Sequence, residues 1–303
     1  YLIYNRPECV EQSLSAVVEA RPKQVYLVAD GPKDGDEEDA RKCKRARERA
    51  LDMLDGVCEV HTDFAEENRG CARRVSSGIT QAFEVFDDAI ILEDDCVPDP
   101  SFFSYSQDLL EKYRHEPRVM AISGNNFQHG KVRGQASYYF SIFPHCWGWA
   151  TWRSAWKNYD HSMAEWPSLR DTDWLRNVLK AKWAVPYWRK IFDKVYAGEI
   201  DSWAYRWTYS LWRAGGLTSI PNVNLVHNIG FGDGATNTRV KRPLWTPDKS
   251  ELTFPLKYPK KIRRDVRADI WTLSYHWKLG MPAAMRLRFQ LIQCLMRLKR
   301  PTV

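Results

Sequence analysis

The sequence predicts an α/β protein built on a doubly wound, mostly parallel sheet. Short apolar runs alternate with helical stretches throughout the first 130 residues, and such β-α-β-α alternation is typical of parallel sheets that are covered by helices on both faces. Several of the predicted strands are also followed directly by polar residues. Because ligands of open α/β sheets bind beyond the carboxyl ends of the strands, this second observation predicts a binding site at that edge.

The predicted elements of the first half follow one another in chain order. Asn5 and Arg6 come directly after the first strand, and Asp30 and Gly31 come directly after the second. A charged surface helix separates the second strand from the third. The predicted strands cover residues 1–4, 25–29, 57–62, 89–92 and 119–123, and the predicted helices cover residues 8–20 and 35–55 and a stretch that ends at Phe83.

The fourth strand ends in three consecutive acids, Glu93, Asp94 and Asp95. Adjacent carboxylates raise each other's pKa, and a divalent cation such as Mg²⁺ or Mn²⁺ removes this cost because it prefers oxygen ligands. After the prolines that stop the strand, we expect a helix capped by Ser101. The stretch therefore predicts a metal site, and an acidic turn that faces solvent is the alternative.

The second half of the chain is rich in aromatic residues and less regular. A strand is expected over residues 137–143, followed by the aromatic segment 144–149. Helices crowded with tryptophan are predicted over residues 165–214, and an extended run over residues 217–226 ends at His227. We also expect a glycine-bearing flexible loop at 230–238, an irregular stretch at 241–265 and a basic amphipathic helix at 281–300.

The composition is that of a globular protein, with 44% hydrophobic and 27% charged residues. The net charge of +7 suits an anionic partner, but we find no nucleic-acid-binding motif or paired aromatic platform, so a nucleic-acid partner is not expected. The seven cysteines are odd in number and form no CxxC pair, which favours free thiols and a cytoplasmic location. We also find no apolar run of membrane-spanning length and no signal peptide.

Three stretches together resemble the glycosyltransferases of the GT-A fold, the nucleotide-diphosphosugar transferase fold. They are ILEDDCVPDPSFF at residues 91–103, FPHCWGWATW at residues 143–152, and the strand end at Asp30 and Gly31. The N-acetylglucosaminyltransferase I type has a similar acidic motif, and bacterial family-2-like sugar transferases have a similar WGWATW segment. The resemblance covers a domain at roughly residues 1–240, with a nucleotide-sugar half (1–130) and an acceptor half (131–240), and leaves a basic C-terminal extension at 241–303.

The resemblance implies an inverting, metal-dependent transfer of a sugar from a nucleotide-diphosphosugar to a glycan, lipid-linked or protein acceptor. The donor it favours is a UDP-sugar such as UDP-GlcNAc. It implies that Asp95 binds Mn²⁺ or Mg²⁺ beside the diphosphate, with His227 as a second metal ligand. It further implies that Glu93 and Asp94 lie near the ribose and metal and that Asp30 contacts the nucleobase. The other donor-site residues it implies are Asn5, Arg6, Gly31, Arg69, Arg73 and Arg74.

For several of these residues an ordinary structural role is the alternative. Arg69, Arg73 and Arg74 suit a diphosphate because guanidinium groups bind phosphate oxygens in pairs, but a solvated helix face is an equally good expectation for each. His227 is also compatible with a hydrogen-bonded histidine of the core or the surface. The sequence leaves these alternatives open.

An inverting transfer needs a base that takes the proton of the acceptor hydroxyl while its oxygen attacks the anomeric carbon. The N-acetylglucosaminyltransferase I type has Trp-Asp-Asp-Trp where this chain reads Glu199-Ile200-Asp201-Ser202-Trp203. Asp201 is therefore the predicted base, with Glu199 as the second candidate. The alternative is that Asp201 only caps the helix that follows it. A module that binds nucleotide sugars without turnover is the matching alternative to an enzyme.

The aromatic segment is expected to shape the meeting point of donor and acceptor. Trp147 and Trp149 are predicted to stack on sugars there, and Gly148 lets the backbone approach a ligand closely. Core packing is the alternative for these rings, and it is the prediction for Trp152 and Trp156.

Two further segments are expected to act at the edges of the site. Loop 230–238 either closes over the donor or forms an ordinary surface turn. Helix 281–300 either packs on its own domain or binds an anionic membrane surface, in which case the protein is peripheral on the inner membrane.

Overall fold

The computed structural model describes residues 1–231 and 247–279. The predicted strands and helices of the first half are all present, with ends that differ from the prediction by a few residues. The strands are β1 (Leu2–Ile3), β2 (Gln24–Ala29), β3 (Glu59–Phe64), β4 (Asp88–Ile91), β5 (Cys96–Pro98), β6 (Val119–Ser123), β7 (Tyr138–Ser141), β8 (Trp149–Trp152), β9 (Leu217–Pro221) and β10 (Val226–Asn228).

The helices of the second half are short apart from two. A 3₁₀ turn at Lys182–Ala184 and a π turn at Thr272–His276 accompany them. The α-helices are α1 (Pro7–Glu19), α2 (Glu37–Leu54), α3 (Cys71–Val85), α4 (Pro100–Lys112), α5 (Arg153–Trp156), α6 (Trp166–Leu169), α7 (Trp174–Leu179), α8 (Val185–Tyr196), α9 (Trp203–Arg213) and α10 (Val266–Trp271).

The strands confirm an α/β fold, but the sheet is mostly parallel only in its first half. β1, β2 and β3 pair in parallel, and the backbone N–H of Leu2 donates to Leu92 at 2.9 Å, which joins β1 to the end of β4. The central sheet has the order β4-β8-β6-β9-β7, and among its pairs only β6 and β9 run parallel. The prediction of a mostly parallel sheet is therefore wrong for the second half, because β8 enters antiparallel between β4 and β6.

The acidic stretch leads into α4 with a different cap from the predicted one. Asp99 Oδ1 accepts the backbone N–H of Ser101 at 3.0 Å, so Asp99 and not Ser101 caps the helix. Pro100 follows at the first helical position, where a missing N–H costs nothing. Between the acids and α4 the chain forms the short strand β5, which pairs antiparallel with β10.

Tryptophan rings form the core between the central sheet and α9. Trp149 stacks on Trp203 with ring centroids 5.4 Å apart, and Trp156 lies 5.2 Å from Trp207. Trp152 and Trp156 are buried, which confirms their predicted core packing. The described part of the C-terminal region joins the same core through Leu252, Leu256 and Leu273.

The structure tests the sequence predictions about free cysteines and membrane-spanning helices over the described residues. Cys9, Cys43, Cys58, Cys96 and Cys146 are free thiols, as predicted. No helix in the part of the chain that the structure describes is both long and apolar enough to cross a membrane. The predicted helix 281–300 lies outside the described residues.

A group of half-buried histidines lies beside the aromatic segment. The His145 ring lies 4.6 Å from the Phe127 ring and 5.8 Å from the His276 ring. Burial lowers the pKa of His145 to about 3 and the pKa of His129 to about 4. These imidazoles are therefore neutral in the folded protein at a pH where the unfolded chain protonates them.

We expect acidification from pH 7 to pH 5 to lower the free energy of unfolding. A histidine whose folded pKa is depressed contributes stability that is complete above the unfolded pKa near 6.5 and is lost as the pH falls below it. For His145 alone we expect a loss of about 1–2 kcal/mol over this interval, measured by urea unfolding at both pH values. His145→Phe keeps a ring in place and should lose less stability on acidification than the wild type. An equal loss in both proteins would contradict the role of His145.

Candidate active site

The carboxyl ends of β1 and β4 bring Arg6 against two of the predicted acids. Arg6 donates to Asp94 and, at 3.0 Å, to Asp95. The backbone N–H of Tyr4 also donates to Asp94 at 3.3 Å, and the Ser13 hydroxyl donates to the Asp94 carbonyl at 2.8 Å. Because a guanidinium fork bridges both carboxylates, Arg6 is the cation that partly neutralises this acidic cluster.

Strand β10 holds Asp95 from the other side. The Asn228 amide donates to Asp95 Oδ1 at 3.1 Å, and the backbone N–H of Ile229 donates to the Asp95 carbonyl at 2.8 Å. The carboxylate also lies so close to Gly230 that a Cβ there would be 2.0 Å from Asp95 Oδ2. Only glycine fits this position without displacing Asp95, so the loop entrance at Gly230 is part of the site.

The three acids carry more negative charge than Arg6 offsets. Burial, with Asp95 and Asp94 beside it, raises the pKa of Glu93 to about 8, and a hydrogen bond from the Trp203 side chain opposes this shift. Burial raises the pKa of Asp94 to about 6, against the lowering effect of Arg6. The cluster is therefore poised to accept a further positive charge.

The carboxylate of Asp30, directly after β2, binds backbone N–H groups of the neighbouring loops. Asp30 Oδ1 accepts the backbone N–H groups of Gly31 and Arg69, both at 2.9 Å, while burial raises its pKa. A Cβ on Gly31 would lie 2.3 Å from the backbone of Glu67. Asp30 and Gly31 thus fasten the loop that leads to α3, and the Arg69 side chain is exposed.

A second polar group beside this turn was not predicted from the sequence. Asp39 accepts the Tyr4 hydroxyl at 2.6 Å and the Asn5 amide at 2.5 Å, and Asn68 donates to the Tyr4 oxygen at 3.1 Å. Asn5 is therefore held by α2 through its amide nitrogen. The only sequence signal for Asp39 was its place in the first turn of a charged surface helix, which gave no reason to select it.

The two arginines of α3 have different environments. Arg74 is buried and donates to the Ala29 carbonyl at 3.0 Å and to Asp63 Oδ2 at 3.0 Å. Its guanidinium ties β2 to β3, so the structure gives it a structural role in place of the predicted diphosphate contact. Arg73 is exposed one position earlier on the helix.

Asp201 lies at the amino terminus of α3. Its Oδ1 accepts the backbone N–H of Ala72 at 3.1 Å, and a Cβ on Gly70, whose φ is +79°, would be 2.9 Å from its Oδ2. Asp201 therefore caps α3 and not the helix that follows it in sequence. Asp201 remains exposed, and it lies at the positive end of the α3 dipole.

The neighbours of Asp201 connect it to the acidic cluster. Trp203, two residues along, is the residue whose side chain hydrogen-bonds Glu93. Glu199 points to Lys194, with Nζ–Oε2 at 3.0 Å. His161 was not predicted, but it lies close enough to Asp201 and Arg73 that both charges act on its pKa, which burial lowers.

The aromatic segment is divided between core and surface. Trp149 is 2% exposed and packs on Trp203, so neither face is open to a sugar and its predicted stacking role is wrong. Trp147 is half-buried, and its ring lies 5.7 Å from the Phe231 ring. Gly148 has a φ of +69°, and a Cβ there would be 2.6 Å from Val226. It is required by packing against β10.

The donor chemistry of the acidic cluster fits a divalent cation. Carboxylate oxygens are the ligands that Mg²⁺ and Mn²⁺ prefer, and burial together with the neighbouring Asp95 and Asp94 raises the pKa of Glu93. The described residues contain no group of three histidine, cysteine or acidic residues already arranged around a metal position. Asp95, with Glu93 beside it, would therefore hold the ion. Arg6 and the ion would then share the Asp95 carboxylate.

His227 lies on β10 opposite Val97 and is half-buried. The side-chain contact from this strand to Asp95 is made by Asn228, the next residue along. The assignment of His227 as a metal ligand stays a prediction. Loop residues 232–238, predicted to close over the donor, lie outside the described residues.

Comparison with known solved structures gives a weak likeness. No protein-family model matches the chain, and no curated protein is similar to it. Among solved structures, it is similar to mannosyltransferase PcManGT from Pyrobaculum calidifontis in complex with GDP-Man and Mn²⁺, with 16% sequence identity and a TM-score of 0.31. The match covers 50% of this chain and 43% of that one. A likeness of this size decides neither fold family nor activity.

Proposed function

We propose that this protein is an inverting glycosyltransferase that moves a sugar from a nucleotide-diphosphosugar to a hydroxyl group. The observation that carries the proposal is the convergence of Arg6, Asp30 and the acids Glu93–Asp95 at the carboxyl ends of β1, β2 and β4. This edge is where open α/β sheets bind nucleotides. The resemblance of the sequence to GT-A transferases supports the same assignment.

The donor half of the reaction follows from the charges at this edge. Negative charge gathers on a diphosphate as its bond to the sugar breaks, and cationic groups that are fixed beforehand stabilise that charge. Arg6 is held in place by Asp94 and Asp95, so it is preorganised for this task. A divalent ion, held by Asp95, would supply Lewis-acid stabilisation of the leaving group. Asp30 is the proposed contact to the nucleobase, and a UDP-sugar is the proposed donor.

The acceptor half depends on Asp201. Asp201 is exposed, and the Ala72 N–H group of α3 orients its carboxylate. It lies against Gly70, which follows the Arg69 N–H that binds Asp30, and two residues before Trp203, which hydrogen-bonds Glu93. In this position it serves as the base that takes the proton of a glycan, lipid-linked or protein hydroxyl. Holding the base by a backbone N–H fixes its orientation without a further side chain.

We expect binding of a UDP-sugar to require a divalent cation. Calorimetric titrations with UDP-GlcNAc, other UDP-sugars and GDP-mannose, each with and without Mn²⁺, measure this directly. Because Asp95→Asn keeps the size and most hydrogen bonds of the side chain but removes its charge, the variant should lose most of the metal-dependent gain in affinity, roughly 10-fold or more.

The control for this titration is Asp63→Asn, which changes an acid that pairs with Arg74 outside the cluster. It should keep the metal effect. Donor binding that is equally tight with Mn²⁺ and with a chelator would overturn the metal role. Failure of every nucleotide sugar to bind would overturn the proposed function itself.

A further inference from the structure

A basic cleft lies at the edge of the central sheet opposite the acidic cluster. β4 is the first strand of this sheet and β7 is the last, so at about 4.8 Å per strand the two edges are about 19 Å apart. The segment 257–265 runs beside β7 and is fastened at both ends, where Ser137 N donates to the Lys257 carbonyl at 2.7 Å and Asp265 N donates to the Phe140 carbonyl at 2.8 Å. Between these contacts, strand and segment enclose a cavity of about 1250 Å³.

Six of the sixteen residues that line the cleft are cationic. Its single lining carboxylate is Asp265, which is already bound to the Ala268 backbone N–H at 2.9 Å. Six cations against one carboxylate give the lining a formal charge of +5. The cationic lining residues are Arg133, Lys260, Lys261, Arg263, Arg264 and Arg267.

Most of these cations are available at the surface. Lys260, Lys261, Arg263 and Arg267 are exposed. Arg264 instead forms the wall, because it is paired with the buried Asp269 and donates to a backbone carbonyl of α7. Arg264 thus forms part of the wall, and long cationic side chains lie exposed at the rim of the cleft. Guanidinium groups bind phosphate oxygens in pairs.

Exposed apolar side chains adjoin the same cleft. Among the described residues, eight large apolar side chains are exposed, and four of these lie within or no more than four residues from the lining stretches 133–140 and 258–267. Val132, at 66% exposure, stands between Lys131 and Arg133. Arg267 and Ile270 are three residues apart on α10 and therefore share one face of it. The remaining two are Phe254 and Tyr258.

We propose that this basic cleft, with its apolar rim, binds the surface of an anionic membrane. Lipid phosphates occupy the cationic cleft while the apolar side chains enter the headgroup region, the combination by which peripheral proteins bind such surfaces. The surface is distinct from helix 281–300, which the sequence alone had suggested for this task. Lipid binding is measured without turnover, so the proposal does not depend on the proposed function.

A nucleic acid fits the cleft less well. Single strands bind by stacking bases on open aromatic faces, but here Lys112 Nζ lies 3.8 Å from the Tyr258 ring and Lys131 Nζ lies 3.8 Å from the Trp271 ring. A soluble polyanion also leaves the apolar rim without a partner. The pairing of charge with exposed apolar surface therefore favours lipid.

The test is co-sedimentation of the full chain with vesicles of phosphatidylcholine alone and of phosphatidylcholine with phosphatidylglycerol. We expect binding only to the anionic vesicles, weakened by salt. Each basic residue near an anionic leaflet improves partition about fivefold, so the double variant Lys261→Gln and Arg263→Gln should bind about 30-fold more weakly. Val132→Ser should bind several-fold more weakly without a change of charge.

The matched control is Lys23→Gln with Lys44→Gln, which removes the same charge from exposed positions at β2 and α2 and should bind as the wild type does. Wild-type binding by the cleft variant overturns the proposal, as does a loss confined to Arg286→Gln with Arg297→Gln. Binding to heparin or an oligonucleotide, but not to anionic vesicles, also overturns it. Unchanged thermal melting of each variant confirms that it is folded.

Discussion

Arg6→Ala is expected to lower the free energy of unfolding by about 3–5 kcal/mol, because it leaves buried carboxylates without their cationic partner. The side chains of Arg6 and Asp94 are only 16% and 3% exposed, so water cannot replace the lost ion pair. At about 2–4 °C per kcal/mol for a chain of this size, the melting temperature should fall by roughly 10 °C. Urea unfolding and thermal melting in the presence of a chelator measure both quantities.

Two further variants separate this effect from a general loss of an ion pair. Arg41→Ala breaks an exposed pair with Glu38 and should leave the stability close to that of the wild type. Asp94→Asn in the Arg6→Ala background should restore part of the stability, since it removes one of the charges left unpaired. If Mn²⁺ binds the acids, it should stabilise Arg6→Ala more than the wild type. An Arg6→Ala protein as stable as the wild type would show that Arg6 does not neutralise the cluster.

The sequence predicted which polar residues follow the strands of the first half well, because local patterns determine them. An apolar run that ends in polar residues marks both a strand and the side on which its carboxyl end opens, so Asp30 and Glu93–Asp95 were found at their correct places. The pairing of Arg6 with Asp94 joins residues 88 positions apart. No local pattern encodes which cation meets which acid, and the sequence could only place Arg6 near a nucleotide.

Residues whose side-chain type suits both a binding site and a structural role were predicted less well. Arg74 and Trp149 have the residue types of a sugar-nucleotide site, yet Arg74 links β2 to β3 and Trp149 fills the core. Both roles depend on how β8 and α3 pack, which is decided by tertiary contacts. The prediction of a mostly parallel sheet was wrong in the second half for the same reason. Nothing in the spacing of the later strands indicated that β8 would pair antiparallel with β4.

Asp201 is the residue for which sequence and structure together give the sharpest test. The sequence offered catalysis or capping of the next helix, and the structure shows a cap on α3 instead, through Ala72 N–H at 3.1 Å. Capping and catalysis make different demands on the side chain. A cap needs an oxygen that accepts a hydrogen bond, which asparagine also supplies, whereas a general base needs a carboxylate that takes up a proton.

Asp201→Asn is therefore expected to reduce sugar transfer by roughly 10²–10⁴-fold while its stability and donor affinity stay close to those of the wild type. Asp201→Ala should show the same loss of transfer and in addition lose about 1 kcal/mol of stability, because α3 loses its cap. Rates are measured with a panel of glycan, lipid-linked and peptide acceptors, and stability by urea unfolding.

The pattern across variants decides the role of each acid. Full transfer by Asp201→Asn with a destabilised Asp201→Ala would make Asp201 a cap and nothing more. A large loss in Glu199→Gln, with Asp201→Asn unaffected, would move the base to Glu199 and require its pair with Lys194 to open. Tight donor binding without transfer to any acceptor, in the wild type as well, would make the chain a nucleotide-sugar-binding module whose Asp201 serves the fold of α3 alone.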